Sequence, residues 1–151
     1  MTSETEPPAL LTAQPTPSQD QVKHLEFIQA VVTRLGNNSF LLKGWCLTLA
    51  AGLLAFAAEG SRVSVAVTAF VPLLAFWLLD GYFLWQERLF RNLYDQVRKP
   101  AGGGVEPFAM NPRPYAAGTR WRQAACSVTL ALFYGGMAVA HLAVLVAVLL
   151  A

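Results

Sequence analysis

The stretch VSVAVTAFVPLLAFWLLDGYFLWQERLFRNLYDQVRK, Val63 to Lys99, decides how this chain is read. Its first two thirds are apolar and aromatic, and its last third is charged. No glycine or proline stop stands at the join. The pattern therefore predicts one helix that crosses a bilayer and continues into the cytoplasm, because about 20 apolar residues suffice for a hydrocarbon core of roughly 30 Å. Pro72 inside the apolar part predicts a kink, since proline removes an N–H from the helix ladder. Beyond Gln86, the residues Leu79, Phe83, Phe90, Leu93 and Val97 fall on one stripe. Glu87–Arg91 and Asp95–Lys99 have the spacing of favourable i,i+4 ion pairs. A stripe that projects past the membrane needs cover, from another helix of the chain or from another subunit. Phe83, Glu87, Arg88, Phe90, Arg91, Leu93 and Val97 are the expected helix-extension and partner face. Pro100 stops the helix.

Composition points the same way. The 151 residues are 55% hydrophobic and 13% charged, against about 25% charged in soluble domains. A net charge of +2 is too small to suggest nucleic acid as a partner. Cys46 and Cys126 have neither a CxxC partner nor a histidine nearby, so no metal or cofactor is expected. The opening residues carry acids and prolines instead of a basic leader, and no cleavable signal peptide is expected.

Residues 1–19, with Pro7, Pro8, Pro15 and Pro17 among Ser, Thr and Glu, are expected to be a disordered tail. Residues 20–36 read as an amphipathic cytoplasmic helix: Ser18 and Gln21 fit a capping box, and Val22, Leu25, Ile28, Val32 and Leu35 share a face. Gly36-Asn37-Asn38 is expected to end that helix. Residues 37–151 form the membrane domain, with spans at about 40–58, 63–86 and 124–151 and a cytoplasmic segment at 87–123. The turn Glu59-Gly60-Ser61-Arg62 makes the first two spans antiparallel. Ala50, Ala51 and Gly52, and later Gly135, Gly136 and Ala138, are thin faces for helix packing. Gly102-Gly103-Gly104 lacks the GK[ST] of a phosphate loop and reads as a flexible joint. Trp45, Trp85 and Trp121 are placed for the interfacial belt.

The fold class is thus all-α: an integral membrane protein with three transmembrane helices, an N-terminal amphipathic helix and a cytoplasmic extension of the second span. Basic residues orient it. Lys23, Arg34 and Lys43 precede or open the first span, and Arg88, Arg91, Arg98, Lys99, Arg113, Arg120 and Arg122 lie between the second and third. Only Arg62 lies between the first and second. The positive-inside rule then puts the N-terminus in the cytoplasm and the C-terminus outside an inner membrane.

Three polar residues stand inside the spans: Lys43, Asp80 and His141. An intramembrane carboxylate is costly and faces a bundle interior or a wet cavity. Lys43 lies at a similar depth to Asp80, so a pair between them would lock two helices; pore lining and proton relay are the other two roles open to Asp80. His141 reads as a packing hydrogen bonder or a titrating group. The aromatics Phe76, Trp77, Tyr82, Phe83, Trp85 and Phe90 read as anchoring and core. The basic loop suits anionic lipid heads or a nucleotide messenger. No HExxH, GxSxG or paired-carboxylate motif is present, so catalysis is not expected.

The segments NNSFLLKGWCLTLAAGLLAFAA (Asn37 to Ala58), FWLLDGYFLWQERLFRNLYDQVRK (Phe76 to Lys99) and PFAMN (Pro107 to Asn111) resemble a widespread group of small bacterial inner-membrane proteins. The layout is also similar to the SLATT-type and RipA-like oligomeric membrane families, from which it departs by a third span. That resemblance implies a homo-oligomeric, pore-forming or membrane-perturbing effector in nucleotide-signalled anti-phage defence. It supplies no catalytic residues, and it directs testing to Asn38, Lys43, Gly44, Trp45, Asp80, Glu87, Arg88 and Arg91. The alternative is a non-conducting membrane scaffold that docks a soluble cytoplasmic protein on the extension of the second helix.

Overall fold

The computed structural model of the protein describes residues 17–59, 63–116 and 118–150. Most of the expected tail, the turn residues Gly60, Ser61 and Arg62, and Ala151 lie outside them. Among the described residues the fold is all-helical: α1 (Gln19–Glu59), α2 (Val63–Thr68), α3 (Phe70–Val97), α4 (Trp121–Ala125) and α5 (Val128–Leu150), with two 3₁₀ turns between α3 and α4. Three helical stretches are long and apolar enough to cross a membrane: α1, α2 with α3 taken together, and α5.

Ser18 starts α1, its Oγ accepting the backbone N–H of Gln21 at 3.1 Å. The Gln21 side chain does not complete the capping box. It crosses instead to the carbonyls of Val97 (2.7 Å), the last residue of α3, and Lys99 (3.0 Å), just beyond it. The helix then runs for 41 residues, about 60 Å at about 1.5 Å per residue, twice a bilayer core. The end expected at Gly36-Asn37-Asn38 is therefore absent. Glycine costs a helix only about 1 kcal/mol, and tertiary contacts outweigh that here. Gly36 lies beside Glu87, whose Oε2 would be 3.9 Å from a Cβ there, and Ser39 one residue past Asn38 bonds to α3.

α3 runs antiparallel to α1 along its whole length. As α1 is followed forward, its partners fall in number: Gln21 meets Val97, Ile28 packs with Leu93, Lys43 meets Asp80, and Cys46 packs with Leu73. The interruption expected at Pro72 appears at Ala69, between α2 and α3. Pro72 has no N–H for the Thr68 carbonyl, so the ladder fails one turn upstream of the ring. α3 continues unbroken through Gln86 to Val97.

The far halves of α1 and α3 form a headpiece around Ile28, Leu93 and Val97, closed by Leu25, Val32, Phe90, Val105 and Tyr115. The triple glycine, read as a flexible joint, folds here into a tight turn. Pro100–Gly104 is a 3₁₀ turn in which Gly103 has φ +59°, and a Cβ there would lie 2.4 Å from the Gln96 carbonyl oxygen. Only glycine fits that approach. Asp95 pairs with Arg98 at 3.5 Å rather than with Lys99, because α3 ends at Val97 and Lys99 leaves the helical register.

The third span is shorter than expected. α5 begins at Val128, separated from α4 at Cys126-Ser127. The Ala125 carbonyl, which a continuous helix would give to the N–H four residues on, accepts the Trp77 indole N–H at 3.0 Å instead.

Candidate functional site: a buried charged cluster joining three helices

Asp80 is fully buried on α3. A bare carboxylate in that position would be prohibitively costly, and the chain surrounds it with donors from two other helices. Lys43 Nζ on α1 lies 2.5 Å from Asp80 Oδ2. Ser39, one turn earlier on α1, donates its hydroxyl to Asp80 Oδ1. Lys43 Nζ also donates to Ser39 Oγ at 2.8 Å, which ties the two α1 residues into one unit. From α5 the Tyr134 hydroxyl lies 3.1 Å from Asp80 Oδ2 and 3.3 Å from the Phe76 carbonyl oxygen. Its single hydrogen serves one of them at a time.

The local sequence places each group. Ser39 and Lys43 are four apart, so both face α3. Tyr134 is the seventh residue of a mostly apolar helix and one of its few hydrogen-bonding side chains. Cys46, Leu73, Leu130 and Tyr134 pack into one apolar cluster beside these groups. An ion pair with every oxygen occupied, set against hydrocarbon side chains, is a clamp: separating the helices would strand a charge.

His141 lies apart from this cluster. It is fully buried, its Nδ1 lies 2.7 Å from the Met137 carbonyl oxygen, its ring centroid is 5.4 Å from Phe70, and Nε2 has no hydrogen-bond partner among the described residues. The structure brings Lys43 and Asp80 together and places His141 near the α2–α3 break.

The apolar part of the expected partner face is already covered. Leu93 and Val97 are buried and Phe90 half-buried under α1, because the unbroken α1 reaches back over them. Phe83 packs on Tyr82 at 6.0 Å. Glu87 holds Arg91 at 2.7 Å, and Arg88 Nη1 donates to the Gln123 carbonyl at 3.2 Å. Of the interfacial tryptophans, Trp45 faces outward at 67% exposure. Trp85 donates to the Thr119 carbonyl at 3.1 Å, and Trp121 packs on Trp77 at 6.5 Å, so both fasten the connecting segment to α3.

The tertiary contacts of Ser39, Tyr134, Gln21, His24 and Gly81 lie outside the expectations above, which give Gln21 only to a capping box. His24 is buried with Nε2 2.9 Å from the Ala109 carbonyl oxygen and its ring 5.9 Å from Phe108, pinning the loop to α1. Gly81 gives α4 room to approach: a Cβ there would lie 3.1 Å from that of Ala125. The i,i+4 step from Ser39 to Lys43 was a legible signal. The other four act across distances that local pattern does not report.

Among the described residues, no group of three or more His, Cys, Asp or Glu side chains is placed to hold a metal ion. Compared with models of known families, with curated proteins and with solved structures, the chain matches none.

Proposed function

We propose that this protein is a non-conducting membrane scaffold of the bacterial inner membrane, with its N-terminus and headpiece in the cytoplasm and its C-terminus outside. The observation that carries this reading is the closure of the charged cluster within one chain: Asp80 is fully buried and takes its partners from α1 and α5 of the same molecule. A pore needs polar groups turned toward a shared axis. Here the outward faces carry Leu47, Val71, Leu74, Leu132, Val139 and Leu142, and the outward hydroxyls of Thr48 and Thr68 donate back to their own helices. Self-association through the extension of α3 also loses its motive, because α1 covers Leu93 and Val97 there. The amphipathic half of α1 and the extension of α3 act as one stalk in this reading. Its soluble partner meets the polar groove of about 610 Å³ between them, lined by Gln29, Thr33, Asn37, Glu87, Arg91 and Tyr94.

The test is reconstitution into liposomes with ion- and dye-leak readouts across a range of protein densities. The scaffold reading expects vesicles as tight as protein-free controls, with and without nucleotide ligands. Leak that rises with protein density overturns it and restores the membrane-perturbing effector.

A further inference from the structure

An apolar groove of about 530 Å³ runs between α3 and α5. Leu73, Trp77 and Leu130 wall it, Gly135 and Ala138 form its floor, and Ala125 and Cys126 close one end. That end is charged. Arg120 and Arg122 are exposed within two turns of Cys126. Arg88 reaches the same turn from α3, its Nη1 3.2 Å from the Gln123 carbonyl oxygen. None of the three arginines is ion-paired among the described residues, whereas Lys43, Arg91 and Arg98 all are. We propose that this groove holds one acyl chain of an anionic phospholipid whose phosphate is gripped by Arg88, Arg120 and Arg122.

Length, chemistry and charge agree on that occupant. From Cys126 to Ala138 is about 18 Å at about 1.5 Å per residue, close to the roughly 15 Å of a single leaflet's hydrocarbon. The glycine and alanine floor leaves a channel that a flexible chain fills, while guanidinium groups bind phosphate through paired N–H donors. A second copy of this chain fits worse. Two copies oriented alike in one membrane would bring their unpaired arginine clusters to the same level at a shared interface, with like charges adjacent. The groove is also held in shape without its guest: the Trp77 indole is fixed by the Ala125 carbonyl, and Trp121 packs on the Trp77 ring.

The experiment uses the full chain purified in detergent and equilibrated with equal amounts of dioleoyl phosphatidylglycerol and dioleoyl phosphatidylcholine, with retained lipid read by native mass spectrometry. Phosphatidylglycerol is expected to be enriched on the order of tenfold, as befits several basic side chains at one head group. The double variant Arg120→Gln, Arg122→Gln, altered only at exposed side chains, should keep its helical content and lose most of that enrichment. Gly135→Leu, whose Cβ has open space within 4 Å, fills the groove and should lose the retained lipid altogether. Glycerol 3-phosphate, a head group without chains, should not displace it. Equal retention of the two lipids by the native chain overturns the proposal. So does enrichment that survives the arginine substitutions, displacement by glycerol 3-phosphate, or a Gly135→Leu chain that changes its oligomeric state while retaining lipid as before.

Discussion

Lys43 Nζ stands 2.5 Å from Asp80 Oδ2, yet the two side chains differ sharply in exposure, 19% for the lysine and none for the aspartate. The lysine has a route to polar surroundings along its flexible stem. The aspartate has none. The pair is thus asymmetric, and its halves should respond differently to removal.

Lys43→Met leaves a fully buried carboxylate with only two hydroxyls, and should cost about 3–5 kcal/mol, as expected when one partner of a buried ion pair is removed. Asp80→Asn keeps the shape and frees Lys43 to turn outward, so its cost should be smaller, about 1–2 kcal/mol. The double variant should lose less than the two singles together. Denaturant titrations in micelles, followed by helical signal, measure all three. Equal single losses that simply add would mean the pair does not act as a clamp.

Tyr134→Phe removes one hydroxyl and nothing else. Interhelical hydrogen bonds in membranes are worth about 0.6 kcal/mol and rarely above about 1.7, so the loss should fall in that interval. It should shrink in the Asp80→Asn background, where the acceptor no longer carries charge. The same titration reads this, and a loss independent of residue 80 would place the hydroxyl's role at the Phe76 carbonyl alone.

Gly81 and Ala125 set how closely α4 seats on α3. Gly81→Ala asks Ala125 to give by a few tenths of an ångström and should be mildly destabilising. Gly81→Leu has no such option and should lift α4, at a cost of about 1–3 kcal/mol. The Trp77 indole would then lose the Ala125 carbonyl, and the shift should appear in its fluorescence. An unchanged spectrum in Gly81→Leu would show that α4 is held by the Arg88 and Trp85 contacts instead.

Leu93→Ala opens a cavity in the headpiece core and should cost about 2–5 kcal/mol there. Hydrogen exchange should rise across Leu25 to Val32 and around Tyr115, with Ser39 to Ala58 unaffected. If Leu93 instead served a separate partner, exchange in the isolated protein would stay as it was.

How much of this was legible in advance varies with the kind of residue. The charged tail of α3 and its Glu87–Arg91 pair follow from spacing along one helix, and the structure has them. A Lys43–Asp80 contact is one of three roles the sequence leaves open to Asp80, because a cation and a carboxylate at similar depth on adjacent helices attract. Its completion by Tyr134 is not legible there, since that tyrosine lies 54 positions from Asp80 and nothing in its own segment marks it. Gly36-Asn37-Asn38 misled for a related reason: local propensity argues for a stop worth about 1 kcal/mol, while the contacts that carry α1 past it come from α3.

Local composition by itself determined the three apolar helical stretches and the polar half-helices attached to them, because transfer from water to hydrocarbon accumulates residue by residue along a segment. Tertiary structure alone decided where helices continue and break, and which face is spoken for. α1 passes its glycine and covers Leu93 and Val97, and the third span starts late because Trp77 takes a carbonyl. Each of those outcomes depends on hydrogen bonds and packing between residues far apart in the chain, whose strength no local pattern encodes.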